Sequence, residues 1–203
     1  MHRQSIIFGA LLLIILVAIV ATGYAIGQGP LGVLSMAISR VTAGEQMIPS
    51  RSLMDETKAP AGPEISSGNW INSEPLTLKS LRGRVVLLEF WTFACYNCRN
   101  TLPTVKKWDA QYRDKGLTII GVHTPELDYE SNIDNLRREV AALGIKYPVV
   151  TDNDYSTWKE YKVEAWPTVF VLDKQGRVRW THVGEGAYDQ TEQVIKKLLT
   201  EPS

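Results

Sequence analysis

The chain lacks a net charge: 22 lysines and arginines balance 22 aspartates and glutamates over 203 residues. A chain so balanced offers no basic footprint for a nucleic acid, and none is expected as a partner. Cysteine is scarce, with two residues, and histidine with three. These are too few to supply four ligands at a recognisable zinc spacing, and no metal or other cofactor is expected. Internal repeats and low-complexity tracts are missing, which excludes solenoids and repeat arrays. What is present is a composition 44% hydrophobic and 9% aromatic, enough for an ordinary core without disulfide staples. The two cysteines therefore serve something other than scaffolding.

Charge is also missing between Ile6 and Ile26, where apolar residues are broken only by Gly9, Thr22, Gly23 and Tyr24. At ~1.5 Å rise per residue such a run covers a hydrocarbon core of ~30 Å, so residues 6–26 are expected to form a single transmembrane helix. His2 and Arg3 precede it and the next charge is Arg40, which puts the N-terminus in the cytoplasm and the rest outside. A cleaved secretory signal ending near Gly23-Tyr24-Ala25 is the alternative, and it too exports the remainder of the chain. The organisation expected is an anchor or signal peptide over 1–27, a Gly- and Pro-rich flexible linker over 28–62, and a globular domain over 63–201. The domain is then held at the cell membrane on its extracytoplasmic side.

Within the domain, strand-like and helix-like patterns alternate. Val85 to Trp91 is an almost wholly apolar run after the Arg82-Gly83-Arg84 turn and suits a strand buried on both faces. A helix from about Cys95 to Lys115 comes next, with Leu102, Val105, Trp108 and Tyr112 on one face. Leu117 to His123 is a second buried strand, Ile133 to Leu143 a second helix and Tyr147 to Thr151 a short strand. Thr157 to Tyr161 reads as a helical turn, Thr168–Asp173 and Val178–His182 as a hairpin, and Gln190–Thr200 as a closing amphipathic helix. This pattern predicts an α/β fold with a central mixed sheet covered on both faces.

Cys95 and Cys98 fall where the first buried strand passes into the first long helix. Unpaired N–H groups and the helix dipole favour an anion there, so Cys95 is expected to carry a stabilised thiolate and to attack. Cys98 lies about one turn on, placed to close a reversible disulfide. A purely structural disulfide is the alternative, but so short a loop constrains few unfolded conformations.

The segment Glu89-Phe90-Trp91-Thr92-Phe93-Ala94-Cys95-Tyr96-Asn97-Cys98, with Pro103 in the helix and Trp166-Pro167-Thr168 entering a later strand, resembles the thioredoxin superfamily. Gly121-Val122-His123-Thr124-Pro125-Glu126 narrows the resemblance to the exported or membrane-anchored branch of TlpA/ResA proteins and the DipZ thioredoxin-like domain. The resemblance implies a thioredoxin fold and a thiol–disulfide oxidoreductase, with Cys95 as nucleophile and Cys98 as resolving thiol. It makes Pro167 the cis-proline beside the pair, Trp166 a substrate-binding residue and Glu89 the buried acid that relays a proton from Cys98. A core aromatic is the alternative for Trp166, and a glutamate paired with Arg84 the alternative for Glu89. Implied partners are thiols and disulfides of exported proteins and a membrane electron donor of the CcdA or DsbD type, with cytochrome c maturation or thiol repair as the setting.

Two departures qualify the resemblance. Thr101 stands where ResA-like proteins carry an acid, and Tyr96-Asn97 supplies no cation between the cysteines, which tilts the pair toward reduction. His123 is an outside candidate near Cys95, His182 reads as structural, and Asp152-Asn153-Asp154 reads as a turn. Two other functions compete: a Sco-like copper-binding chaperone, which needs a loop histidine and wider cysteine spacing, and a thiol peroxidase, suggested by Thr92-Phe93-Ala94-Cys95.

Overall fold

In Val85 to Trp91 only Glu89 is ionisable, and these residues form a strand buried along its whole length, β2 (Val85–Trp91). In this computed structural model residues 53–66 and 68–202 are described. The expected membrane segment at 6–26 and most of the expected linker lie outside the described residues. Among the described residues no helix is long and apolar enough to cross a membrane.

Strand β1 (Trp70–Ile71), which the sequence did not announce, pairs antiparallel with β4 (Val149–Thr151). β4 runs parallel to β3 (Leu117–His123), and β3 parallel to β2. On the other side of β2, β5 (Thr168–Leu172) and β6 (Val178–Val183) are both laid antiparallel to their neighbours. The sheet order is β1-β4-β3-β2-β5-β6. The connecting helices are α1 (Tyr96–Tyr112), α2 (Ile133–Ala142), the short α3 (Ser156–Glu160) and α4 (Tyr188–Thr200). This is the mixed-sheet α/β thioredoxin fold that the sequence predicts. Strand β4 begins two residues later than expected, since Pro148 has no N–H to give a ladder.

Alternation along β2 sorts the core onto two faces. Val85, Leu87 and Trp91 pack with Leu102, Val105 and Trp108 of α1, Leu136 of α2 and Ile195 of α4. Val86, Leu88 and Phe90 pack on the opposite face with Leu78, Leu81, Tyr161 and Phe170. Glu89 shares the parity of the first set and so lies under α1.

The last part of the expected linker, residues 53–62, lies among the described residues. Residues 53–62 run along the domain instead of leaving it: the Met54 amide donates to Arg179 O at 2.9 Å, and the Val178 amide to Pro60 O at 2.8 Å. The Arg179 guanidinium donates to Met54 O at 2.7 Å, and Arg177 pairs with Glu56 at 2.8 Å. The physical reason is the sheet edge: β6 ends the sheet, its outer backbone groups need partners, and this segment supplies them. Residues 53–62 are thus bound to the sheet edge by hydrogen bonds and an ion pair.

Candidate active site

Strand β2 ends at Trp91, and the turn Thr92-Phe93-Ala94 delivers Cys95 to the N-cap of α1, with extended backbone angles of φ −66° and ψ 120°. Cys95 and Cys98 are joined by a disulfide. The Cys98 amide donates to Cys95 Sγ at 3.2 Å, and the first turn of α1 holds no acidic residue. A sulfur anion at Cys95 would thus meet a free helix N-terminus and an N–H donor with no opposing charge in that turn. Cys95 is partly exposed and Cys98 fully buried, so only the first can meet an incoming disulfide. Tyr96 between them is 76% exposed.

Glu89, on the α1-facing side of β2, is wholly buried. Its carboxylate accepts hydrogen bonds from Thr101 Oγ1 at 2.9 Å and from the Tyr147 hydroxyl at 3.0 Å. Thr101 Oγ1 also lies 2.7 Å from the Cys98 carbonyl, so its single proton is shared between the two acceptors and links the acid to the residue that carries the buried sulfur. Burial raises the Glu89 pKa to about 7, against the pull of the two hydroxyl donors. Arg84 is not its partner: that guanidinium sits at the start of β2, bound to Thr118 Oγ1 at 2.6 Å and Leu117 O at 2.6 Å. Thr101, which looked like the loss of an acid, is one of two donors to the acid that is present.

A second buried carboxylate, Glu130, holds the loop in front of Cys95. One oxygen accepts from the Ala94 amide at 2.9 Å and from the Thr92 hydroxyl, the other from the Glu126 and Leu127 amides, each at 2.8 Å. Burial pushes its pKa up, but these donors outweigh burial and leave it below the ordinary carboxylate value. His123, at the end of β3, is fully buried, stacks on Phe93 with ring centroids 5.4 Å apart, and has Nε2 3.2 Å from Thr92 Oγ1. Burial drags its pKa down to about 4, opposed by the Glu130 charge, so the ring is neutral near pH 7. The Thr92 hydroxyl is thus held between Glu130 and His123.

The Trp166–Pro167 peptide is cis, as the resemblance implied. Trp166 is half-buried: its ring packs on Trp158 at 4.3 Å, and Nε1 donates to Thr124 O at 3.0 Å. Both Trp166 and Cys95 are partly buried at the margin of the same apolar cluster. His182 lies on β6 with Nε2 buried and unpartnered among the described residues. Asp152 turns inward to accept from the amides of Thr157 and Trp158, both at 2.9 Å, and so serves as the turn expected. Glu130 and Tyr147 escaped sequence reasoning, because no local pattern marks a glutamate in a polar loop or a tyrosine in an apolar run as partners of a distant strand.

With the strand, the cysteine pair and the cis-proline in place, comparison with known proteins is decisive. Residues 60–181 match the AhpC/TSA family. The chain belongs to the AhpC/TSA family. This AhpC/TSA chain is 44% identical over 135 residues to Protein DipZ of Mycobacterium tuberculosis, covering 65% of the chain and 19% of DipZ. It is 30% identical over 128 residues to the thiol-disulfide oxidoreductase ResA of Bacillus thuringiensis, covering 63% of the chain and 71% of ResA. Among solved structures, a thiol-disulfide isomerase from Corynebacterium glutamicum superposes with a TM-score of 0.65 at 27% identity, covering 72% of this chain and 99% of that one. The chain thus spans about a fifth of the length of DipZ but most of that of ResA. These relatives, together with the Cys95–Cys98 disulfide, make this AhpC/TSA domain a thioredoxin-like thiol–disulfide oxidoreductase domain.

Proposed function

We propose that the protein is a membrane-anchored, extracytoplasmic thiol–disulfide oxidoreductase that reduces disulfides of exported proteins. The observation that carries this reading is the asymmetry of the pair, an accessible sulfur at a helix N-cap and a buried one, together with a buried carboxylate linked through Thr101 to the Cys98 carbonyl. In the reducing direction the Cys95 thiolate attacks a substrate disulfide, forming a mixed disulfide and releasing one substrate thiolate. Glu89 takes the proton of Cys98, whose thiolate then attacks Cys95 Sγ; the Cys95–Cys98 disulfide forms and the second substrate thiolate leaves. A dithiol donor at the membrane, of the kind that CcdA or DsbD supplies, reverses the last steps. Cys98 departs as a thiolate and recovers its proton from Glu89.

In this reading Trp166 and Pro167 serve as the substrate-binding edge, where an extended peptide adds as a short strand. Residues 6–26 supply the anchor and the residues up to about 52 the tether, and cytochrome c maturation or thiol repair is the setting. Two experiments test the proposal. Cys98→Ser should accumulate mixed disulfides with exported proteins, and Cys95→Ser should accumulate none; capture by neither variant contradicts the mechanism. Protease added outside intact cells should cleave the domain while the anchor stays in the membrane fraction, and full protection contradicts the location.

A further inference from the structure

Tyr147 is fully buried, and among the described residues its hydroxyl has one hydrogen-bond partner, Glu89 Oε2, at 3.0 Å. It lies two residues ahead of β4, yet Glu89 is on β2, with β3 between them. The ring can cross because Gly121 of β3, in register with both Glu89 and Val149, has no side chain. A Cβ there would lie 3.3 Å from the Tyr147 ring and 2.7 Å from Trp91 Nε1. A full-sized aromatic has thus been laid over a glycine gap to bring one hydroxyl to one carboxylate.

We propose that Tyr147 is a positioning residue for the proton step. Its hydroxyl, reaching over Gly121, holds Glu89 in the ionised form that can accept the Cys98 proton. The inference rests on the relay role of Glu89 proposed above. A buried carboxylate without donors stays protonated and cannot act as a base. Here each oxygen has one hydroxyl donor, Thr101 from α1 and Tyr147 from the β4 side, and the balance of burial and donors sets its pKa at about 7. No cation contributes among the described residues. The other titratable groups that sense this site are Cys98 itself, Tyr188 at the start of α4, which feels the Glu89 charge, and Asp109 of α1, which acts on Tyr147 and is paired with Arg113. β3 and β5 present Gly121 and Val169 beside Glu89 and add no charge. When Cys98 gives its proton to Glu89, the acid keeps its contact with Thr101. When the pair is reduced again, the proton returns to Cys98.

The test uses the full chain, reduced and then mixed with dithiodipyridine. The first thiopyridone released reports attack by Cys95, and the second reports resolution by Cys98. The second rate, measured from pH 5 to 10, should rise along a limb near pH 7 in the native protein. Glu89→Gln should abolish that limb. Tyr147→Phe keeps the ring and its packing, and should move the limb to about 8, slowing resolution at pH 7 roughly fivefold. Thr101→Val should move it the same way, and adding Tyr147→Phe to Glu89→Gln should change nothing further. A limb that Glu89→Gln abolishes but Tyr147→Phe leaves in place overturns this inference and spares the relay, as does a Tyr147→Phe rate lowered equally at every pH. A limb that survives in Glu89→Gln overturns the relay and the inference with it.

Discussion

Glu130 Oε1 lies 2.9 Å from the amide nitrogen of Ala94, the residue just before Cys95. Through its other oxygen, bound to the Glu126 and Leu127 amides, it joins the active-site turn to the loop that leads to α2. Every oxygen position faces a donor, so the site is built for a carboxylate and not for an amide. Glu130→Gln turns an NH2 group toward N–H donors and should destabilise the protein by about 2–3 kcal/mol. Denaturant unfolding of the oxidised chain measures this, and a loss below about 0.5 kcal/mol would contradict the clamp.

Glu89 and His123 impose opposite pH slopes on stability. The folded Glu89 pKa of about 7 stands above its ordinary 4.5, so the folded protein retains a proton that the unfolded chain has lost. That contribution is whole below about 4.5 and is lost as pH rises through about 7. The folded His123 pKa of about 4 stands below its ordinary 6.5, so its contribution is whole above about 6.5 and is lost as pH falls toward 4. Glu89→Gln removes the first slope alone. Relative to the native protein, the variant should gain roughly 2–3 kcal/mol between pH 5 and pH 8. Unfolding curves at pH 5, 6.5 and 8 check this, and parallel pH profiles would contradict it.

Residues 53–62 act as part of the domain. A chain beginning at residue 53 should unfold at the same denaturant midpoint as longer chains. One beginning at 63 forfeits the Met54–Arg179 and Pro60–Val178 hydrogen bonds and the Glu56–Arg177 pair, and should lose about 2–4 kcal/mol. Equal midpoints for the two would contradict a stabilising role for this segment.

The apolar run of β2, the period of α1 and the hairpin of β5 and β6 were legible because each is a local pattern. So was the placement of Cys95 and Cys98 at the strand–helix junction, since adjacency in sequence fixes it. Glu89 stood out as an acid in an apolar strand. Its partners did not, because Thr101 and Tyr147 meet it only after the helix is laid on the sheet and a glycine gap opens in the neighbouring strand. The edge-covering role of residues 53–62 was hidden for the same reason: Gly- and Pro-rich composition reads as linker, and only the unpaired edge of β6 gives that segment its partners. β1, two residues long, is too short for any period to show.

The central claim is that the Cys95–Cys98 pair works as a reductant. The measurement that tests it most directly is the reduction potential of the full chain, by equilibration against dithiothreitol and glutathione buffers. With no cation between the cysteines, the account predicts a value near or below the ~−270 mV of thioredoxin. A value near the ~−120 mV of DsbA would make the protein an oxidant and contradict it.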